Sequence, residues 1–289
     1  MDFLQHASLT TLFLYIAVIC LWLPTPGFSP PLWLIIASLS GFAALLSGQM
    51  TLLGLGLAWI FLGAAYRFLQ ATRSAERTFI GVALGSLSLL LGAHLLPGFH
   101  NLKALDAVFV SADGLPFTMY LNLDKTLVAL GILGWCVPRL TTLQAWRQML
   151  AFLLPRAPLL LTPIFLLALL SGKIHWDPKL PSYTLLWALT NLLFVCTAEE
   201  AFFRGFLQRQ LSLLWQNRPL PKLLPLALAS FFYGLSHFAG GLLYVAFVTL
   251  AGLVYGWAYQ KTNAIEASIL LHFGLNLAHF LLFTYPSLP

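Results

Sequence analysis

The chain has 289 residues, of which 60% are hydrophobic and only 8% are charged, and its formal net charge is +6. Soluble domains carry about 25% charged residues, so this composition excludes an ordinary soluble protein and indicates a polytopic membrane protein. The positive net charge does not indicate nucleic-acid binding, because most basic residues lie in short loops between apolar runs.

Apolar runs recur along almost the whole chain. A helix of about 20 apolar residues crosses a hydrocarbon core of roughly 30 Å, so the runs predict an all-α protein with about ten transmembrane helices. The first run lacks a basic n-region and a cleavage motif, so it is expected to be a retained helix. The runs are Ser8–Leu23, Leu32–Ser47, Thr51–Leu69, Phe79–Leu96, the short Thr126–Val137, Ala157–Ser171, Ser182–Phe203, Leu223–Phe238, Leu242–Tyr259 and Ala264–Phe283.

The basic residues predict the orientation of these helices. Alternate loops are rich in lysine and arginine, and by the positive-inside rule they face the cytoplasm, which places both termini outside. The expected location is the inner membrane of a prokaryote. The loops predicted to be cytoplasmic carry Arg67, Arg73, Arg77, Arg139, Arg147, Arg156, Arg209, Arg218, Lys222 and Lys261. The loops predicted to be external carry Lys103, Lys125, Lys173 and Lys179 together with four aspartates.

Ionisable residues within the apolar runs are concentrated in the last hundred residues. Such residues normally face a protein interior or a water-filled cavity and mark a functional site. The C-terminal third is therefore the expected place for any chemistry. The residues are Glu199, Glu200, Arg204, His237, His272 and His279.

The stretch "TAEEAFFRGFLQR" carries three of these charges. Residues four apart share one face of a helix, so Glu200 and Arg204 are interpreted mainly as a structural ion pair. Glu199 points to another face and has no obvious local counter-ion. A lone carboxylate in an apolar wall is suited to general acid–base catalysis.

The spacing from the predicted turns brings Glu199 and both histidines to similar depth. Glu199 and His237 lie roughly 24 and 21 Å from a turn at Gln216–Pro221, at 1.5 Å of rise per residue. His272 lies about 14 Å from a second turn near Lys261–Asn263. The depths agree if the first hairpin projects about 7 to 10 Å further into the cytoplasm than the second.

His272 and Asn276 in "HFGLN" are again four apart and face the same way. Two neutral donors on one face suit the binding of an oxyanion. If Glu199 and His237 deprotonate a water molecule, the four residues together describe amide hydrolysis without a covalent intermediate.

Three motifs carry a resemblance to a known family. "EEAFFR" from Glu199 matches an EExxxR motif, "YGLSH" ending at His237 matches FxxxH, and "HFGLN" from His272 matches HxxxN. The chain thereby resembles the CAAX prenyl protease 2 group and its bacterial relatives, the CPBP or ABI intramembrane proteases. The resemblance extends over residues 150–283. We therefore expect N-terminal transmembrane helices of unassigned role in residues 1–145 and a CPBP-like protease core in residues 146–289.

The resemblance implies an all-helical intramembrane endopeptidase of the glutamate type, with no cofactor and no metal. By position it implies water activation by Glu199 and His237, and an oxyanion hole formed by His272 and Asn276. It implies supporting roles for Glu200, Arg204 and Tyr233. Tyr233 stands where the family usually has phenylalanine, so its added hydroxyl needs a hydrogen-bond partner.

The expected partners are the lipid bilayer and a membrane-associated protein or peptide substrate, with no nucleic acid. The eukaryotic members of the family remove a tripeptide from prenylated proteins.

Two alternatives stay open at the level of sequence. Glu199, His237 and His272 are residue types that can hold zinc, as in a metalloprotease, although no HExxH motif is present. In the other alternative the same residues serve a non-catalytic membrane protein, either as an immunity or scaffold protein or as a path for protons or solutes.

Overall fold

The computed structural model describes residues 8–23, 30–217 and 223–289. Within these ranges the chain is almost entirely helical. The helices are α1 Leu9–Cys20, α2 Leu32–Leu46, α3 Leu52–Gln70, α4 Ser74–Gly92, α5 Leu123–Gly131 with its π-helical continuation Ile132–Cys136, α6 Leu143–Leu153, α7 Ala157–Leu170, α8 Thr184–Trp215, α9 Leu224–Leu235, α10 Leu242–Thr262 and α11 Ile265–Leu282. Strands β1 Leu102–Val108 and β2 Phe117–Leu121 pair in a two-stranded sheet.

Local sequence signals account for several helix ends. Ser8, Thr51 and Thr142 precede α1, α3 and α6, and each side chain accepts a hydrogen bond from the backbone N–H three residues later. Such caps satisfy amides that have no partner inside the helix. Gly241 has a φ of +87° just before α10, and Asn263 has a φ of +53° just after it. Both conformations suit a sharp change of direction.

The predicted all-α membrane class is confirmed. Each of the ten predicted runs overlaps a helix, although α4 begins five residues before its run and α8 continues twelve residues past the end of its run. Among the described residues, five helices are long and apolar enough to cross a membrane, namely α3, α4, α8, α10 and α11. The pair α6 and α7, bent by 47°, makes six if it is one span. Helices α1, α2 and α9 are apolar but shorter, so length and composition support fewer spans than the predicted ten.

Two elements were not expected from the sequence. One is the two-stranded sheet, which lies in the polar connection before α5. The other is helix α6, which lies outside the ten predicted runs and comes just before α7. The predicted turn at Gln216–Pro221 lies largely outside the described residues. The predicted turn near Lys261–Asn263 is confirmed between α10 and α11.

The described chain divides into two compact units. The first contains α1 to α5 and the first part of α8, and it comprises the described residues of Met1–Ala104, Met119–Pro138 and Ser182–Phe202. In this unit Tyr15 on α1 stacks on Phe194 of α8 with ring centroids 4.4 Å apart. The Tyr15 hydroxyl lies 2.7 Å from Oγ1 of Thr190, also on α8. Helix α1 is therefore fixed to the segment that leads into the acidic motif.

The second unit contains α6, α7, the rest of α8 and α9 to α11, and it comprises Leu105–Thr118, Arg139–Pro181 and the described residues of Phe203–Pro289. Helices α9 and α10 pack closely at Gly234, where there is no room for a side chain. A Cβ added at this position would lie 1.9 Å from Oγ1 of Thr249. In the segment after α11, the Thr284 amide donates a hydrogen bond of 3.0 Å to the His175 carbonyl.

Candidate active site

Helix α8 carries the acidic motif in an irregular stretch. The α-helical turn Thr197–Glu200 lies between two π-helical segments, Asn191–Cys196 and Ala201–Gln208. In a π-helix the backbone bonds join residues five apart, and such segments are frequent at functional sites. The regular α-helical spacing predicted for this stretch is therefore wrong over both π-helical segments.

All three charges of the motif are buried. Glu199 is 9% exposed, and Glu200 and Arg204 are fully buried at 0%. The boundary between the two units falls after Phe202, so both glutamates belong to the first unit and Arg204 belongs to the second. The expected pairing of Glu200 with Arg204 stays a prediction.

Glu199 has a counter-ion that the sequence interpretation missed. Lys125 Nζ lies 2.6 Å from Glu199 Oε1, and both residues belong to the first unit. The expectation of a carboxylate without a charged neighbour was therefore wrong. It failed because Lys125 comes from α5, more than seventy residues earlier in the chain, where it had been counted as a residue of an external loop.

A polar network holds the start of α5. Oδ2 of Asp124 lies 2.8 Å from His94 Nδ1, and its Oδ1 accepts hydrogen bonds from Asn101 Nδ2 at 2.9 Å and from the Lys125 amide at 2.8 Å. Asn101 also accepts from the amide of Leu123 at 2.8 Å. The negative charge of Asp124 interacts favourably with the positive end of the helix dipole at the N-terminus of α5. The network thus fixes the backbone from which the Lys125 side chain extends.

In the second unit, Arg204 contacts both a backbone carbonyl and aromatic faces. Its Nη2 donates to the carbonyl of Gly252 at 3.1 Å. Its Cζ lies 4.4 Å from the ring centroid of Tyr233 and 5.4 Å from that of Tyr255. A guanidinium over an aromatic face is an attractive arrangement, especially where water is excluded. These contacts hold the Arg204 guanidinium beside Tyr233, and the supporting role of Arg204 stays a prediction.

Gln208 repeats the Arg204 contact one turn further along. Its Nε2 donates to the carbonyl of Gly256 at 3.0 Å. A Cβ added at Gly252 would lie 2.9 Å from Arg204 Nη2, and one added at Gly256 would lie 2.6 Å from Gln208 Oε1. The two glycines of "GLVYG" therefore admit two polar side chains against the α10 backbone, as small residues do in membrane helices.

His237 lies just beyond the C-terminus of α9, and it is half-buried. Its Nδ1 is 3.0 Å from the carbonyl oxygen of Tyr233 and 3.1 Å from Oγ of Ser236. A carbonyl oxygen can only accept, so Nδ1 carries the proton in this hydrogen bond. In the neutral ring, Nε2 is then the nitrogen that can accept a proton.

His272 is buried on α11, with 3% of its surface exposed. Its Nε2 lies 3.2 Å from the hydroxyl of Tyr233. Its ring stacks on Tyr255 with centroids 4.8 Å apart and planes inclined by 14°. The hydroxyl of Tyr233 was expected to need a hydrogen-bond partner, and His272 is that partner.

Asn276 follows His272 by one turn on α11 and is half-buried. The spacing places the two side chains on one face of the helix. His279, further along α11, donates from Nε2 to the carbonyl of Thr284 at 3.0 Å. Its ring is thus bonded to the segment that follows α11.

The structure therefore brings Tyr233, His237 and His272 together in the second unit and Lys125 with Glu199 in the first. The convergence of Glu199 with His237, His272 and Asn276 stays a prediction. Across residues 8–23, 30–217 and 223–289, no three side chains of histidine, cysteine, aspartate or glutamate form a group that can hold a metal ion.

Residues 181–278 match the family model described as Type II CAAX prenyl endopeptidase Rce1-like. This match includes all three motifs, from Glu199 to Asn276, and takes in none of helices α1 to α7. No curated protein and no solved structure matches the chain at a significant level.

Proposed function

We propose that this integral membrane protein hydrolyses a peptide bond of a membrane-associated protein or peptide, because residues 181–278 match the family model of the type II CAAX prenyl endopeptidases. The proposed nucleophile is a water molecule activated by Glu199 and His237. The proposed oxyanion donors are His272 and Asn276. No metal takes part in this mechanism.

The observation that carries the proposal is the position of Tyr233 between the two histidines. Its backbone carbonyl accepts from His237 Nδ1 at 3.0 Å, and its hydroxyl lies 3.2 Å from His272 Nε2. Two motifs from separate helices, α9 and α11, are thus joined through one residue. A shared partner of this kind supports a common site, because it fixes both rings relative to each other.

The tautomer of His237 suits water activation. With Nδ1–H donating to Tyr233, the neutral ring offers Nε2 as an acceptor to a water molecule. In the proposed reaction Glu199 takes one proton from this water as its oxygen attacks the carbonyl carbon of the substrate. The carbon–nitrogen bond then breaks, and the same proton passes to the leaving amine nitrogen. The products are a carboxylic acid and an amine, and no bond to the protein forms.

The tetrahedral intermediate carries negative charge on the former carbonyl oxygen. His272 and Asn276 are proposed to donate hydrogen bonds to that oxygen. The His272 ring is held on one side by Tyr233 and on its face by Tyr255, so its direction is set before the substrate binds. Donors that are oriented in advance act strongly on developing charge, and the loss of one such donor lowers kcat by about 10²- to 10³-fold.

A comparison of peptide termini across the whole membrane proteome tests the function, and it requires no chosen substrate. Membranes containing the wild-type protein, Glu199→Gln, His237→Ala and the control Lys103→Met are compared at equal levels of inserted protein. Lys103 is an exposed residue of β1. We expect a set of cleaved termini with the wild type and with Lys103→Met that is missing from the other two. The same termini with Glu199→Gln would refute Glu199 as the base.

A further inference from the structure

The ion pair between Lys125 and Glu199 is nearly enclosed by protein. The side chains are 16% and 10% exposed, and their charged atoms are 2.6 Å apart. Exposed pairs of this type contribute little, whereas removing one partner of a buried pair leaves an uncompensated charge. Lys125 therefore fixes one oxygen of the Glu199 carboxylate more strongly than a surface lysine would.

The stability of α5 does not explain the position of Lys125. Lys125 lies in the first turn of this helix, where the helix dipole disfavours a positive charge. The neighbouring Asp124 suits that position and is held by His94 and Asn101. Four hydrogen bonds around Asp124 and Asn101 fix the backbone that carries Lys125. The contact with Glu199 explains why a lysine lies at this electrostatically unfavourable end of the helix.

The matched family domain begins at residue 181, whereas Lys125 belongs to the helices that precede it. We propose that Lys125 is a positioning residue through which these helices hold the Glu199 carboxylate in its reactive orientation. The ammonium binds Oε1, so the rotation of the carboxylate is fixed and the direction of Oε2 is set with it. This inference rests on the proposed function of Glu199 as the base.

Kinetics of two substitutions test the inference. The substrate is a peptide that spans a cleavage site found in the comparison of termini, and the full-length protein is studied in detergent micelles. Lys125→Met keeps the apolar stem and removes the ammonium, so kcat should fall by about 100-fold, as expected for a misplaced reactive group, with KM within about twofold. Lys125→Arg restores a cation and should recover most of kcat. The matched control Lys103→Met removes the same charge from an exposed site and should keep the wild-type kcat.

A stability comparison shows whether the pair itself exists. Lys125→Met should lower Tm in the wild-type background, because it removes the ammonium that contacts the buried carboxylate of Glu199 at 2.6 Å. The same substitution should have little effect on Tm in a Glu199→Gln background. An equal loss of Tm in both backgrounds would overturn the ion pair and with it the positioning role.

The outcomes also separate this inference from the proposed function. If Glu199→Gln is inactive while Lys125→Met keeps the wild-type kcat, only the positioning role is overturned. If Glu199→Gln is itself active, the assignment of the base fails first. A loss of kcat in Lys125→Met that Lys125→Arg does not restore would show a structural defect and would also overturn the proposed role.

Discussion

Replacing Gly252 by alanine should destabilise the protein, although alanine normally favours a helix. The new Cβ would lie 2.9 Å from Arg204 Nη2, 3.0 Å from Tyr233 Cδ1 and 3.2 Å from Ser230 Cα. The last of these atoms is backbone, so α9 and α10 have to move apart. Extra methyl groups in a close-packed interior typically cost about 1 to 3 kcal/mol.

The same substitution weakens the hydrogen bond from Arg204 to the Gly252 carbonyl, which measures 3.1 Å. A hydrogen bond to a charged group contributes about 1.5 to 3 kcal/mol. The gain in helix propensity offsets about 0.5 to 1 kcal/mol of this loss. We therefore expect Gly252→Ala to lower the free energy of unfolding by about 1.5 to 5.5 kcal/mol, with the upper end reached if the hydrogen bond is lost completely.

Gly63 on α3 is the matched control, because an added Cβ there meets no atom within 4 Å. Gly63→Ala should raise the free energy of unfolding by up to about 1 kcal/mol. Both variants can be compared by equilibrium unfolding in mixed micelles, followed by far-ultraviolet circular dichroism. Equal stability of the two variants would refute the close packing of α10 against Arg204 and α9.

Three further predictions concern the site and the surface. Tyr233→Phe should lower the free energy of unfolding by about 1 kcal/mol, because the hydrogen bond to His272 is lost. This variant should keep measurable cleavage. Complete inactivity would show that the hydroxyl takes a direct part in the reaction. Peptide cleavage should be unchanged after metal is removed with a chelator, and loss of activity that added zinc restores would favour the metalloprotease alternative. A hydrogen bond from Ser111 and the charge of Lys179 lower the pKa of Asp177. Asp177 therefore stabilises the fold above about pH 4, and this contribution is lost as the pH falls through the lowered pKa. Below about pH 4, Tm of Asp177→Asn should therefore depend less on pH than Tm of the wild type.

The class of fold and the positions of the three motifs could be predicted from the sequence. Apolar runs predicted helices in all ten places because a membrane helix satisfies its own backbone polar groups, so its signal is local. The burial of Glu200, Arg204 and His272 was also predictable, since charged or polar residues in an apolar run normally face the protein interior.

Contacts between distant segments were not predictable from periodicity. Lys125 was expected in an external loop because it follows a polar connection, and nothing local indicates that it reaches Glu199. The π-helical segments around Thr197–Glu200 were missed because helical periodicity assumes one fixed pitch. The two strands were missed because their polar connection was interpreted as a loop. Tyr233 is an intermediate case, since its need for a partner was predictable but the identity of that partner was not.

The length of α8 exceeds the thickness of a lipid bilayer. Its 32 residues are about twelve more than the roughly 20 that a transmembrane helix needs. The last segment, Arg209–Trp215, contains no buried residue and begins with a cation. Hydrophobic mismatch at this end should therefore push the segment into the headgroup region or thin the bilayer around it, which makes lipid chain length a variable that acts directly on the helix bearing Glu199.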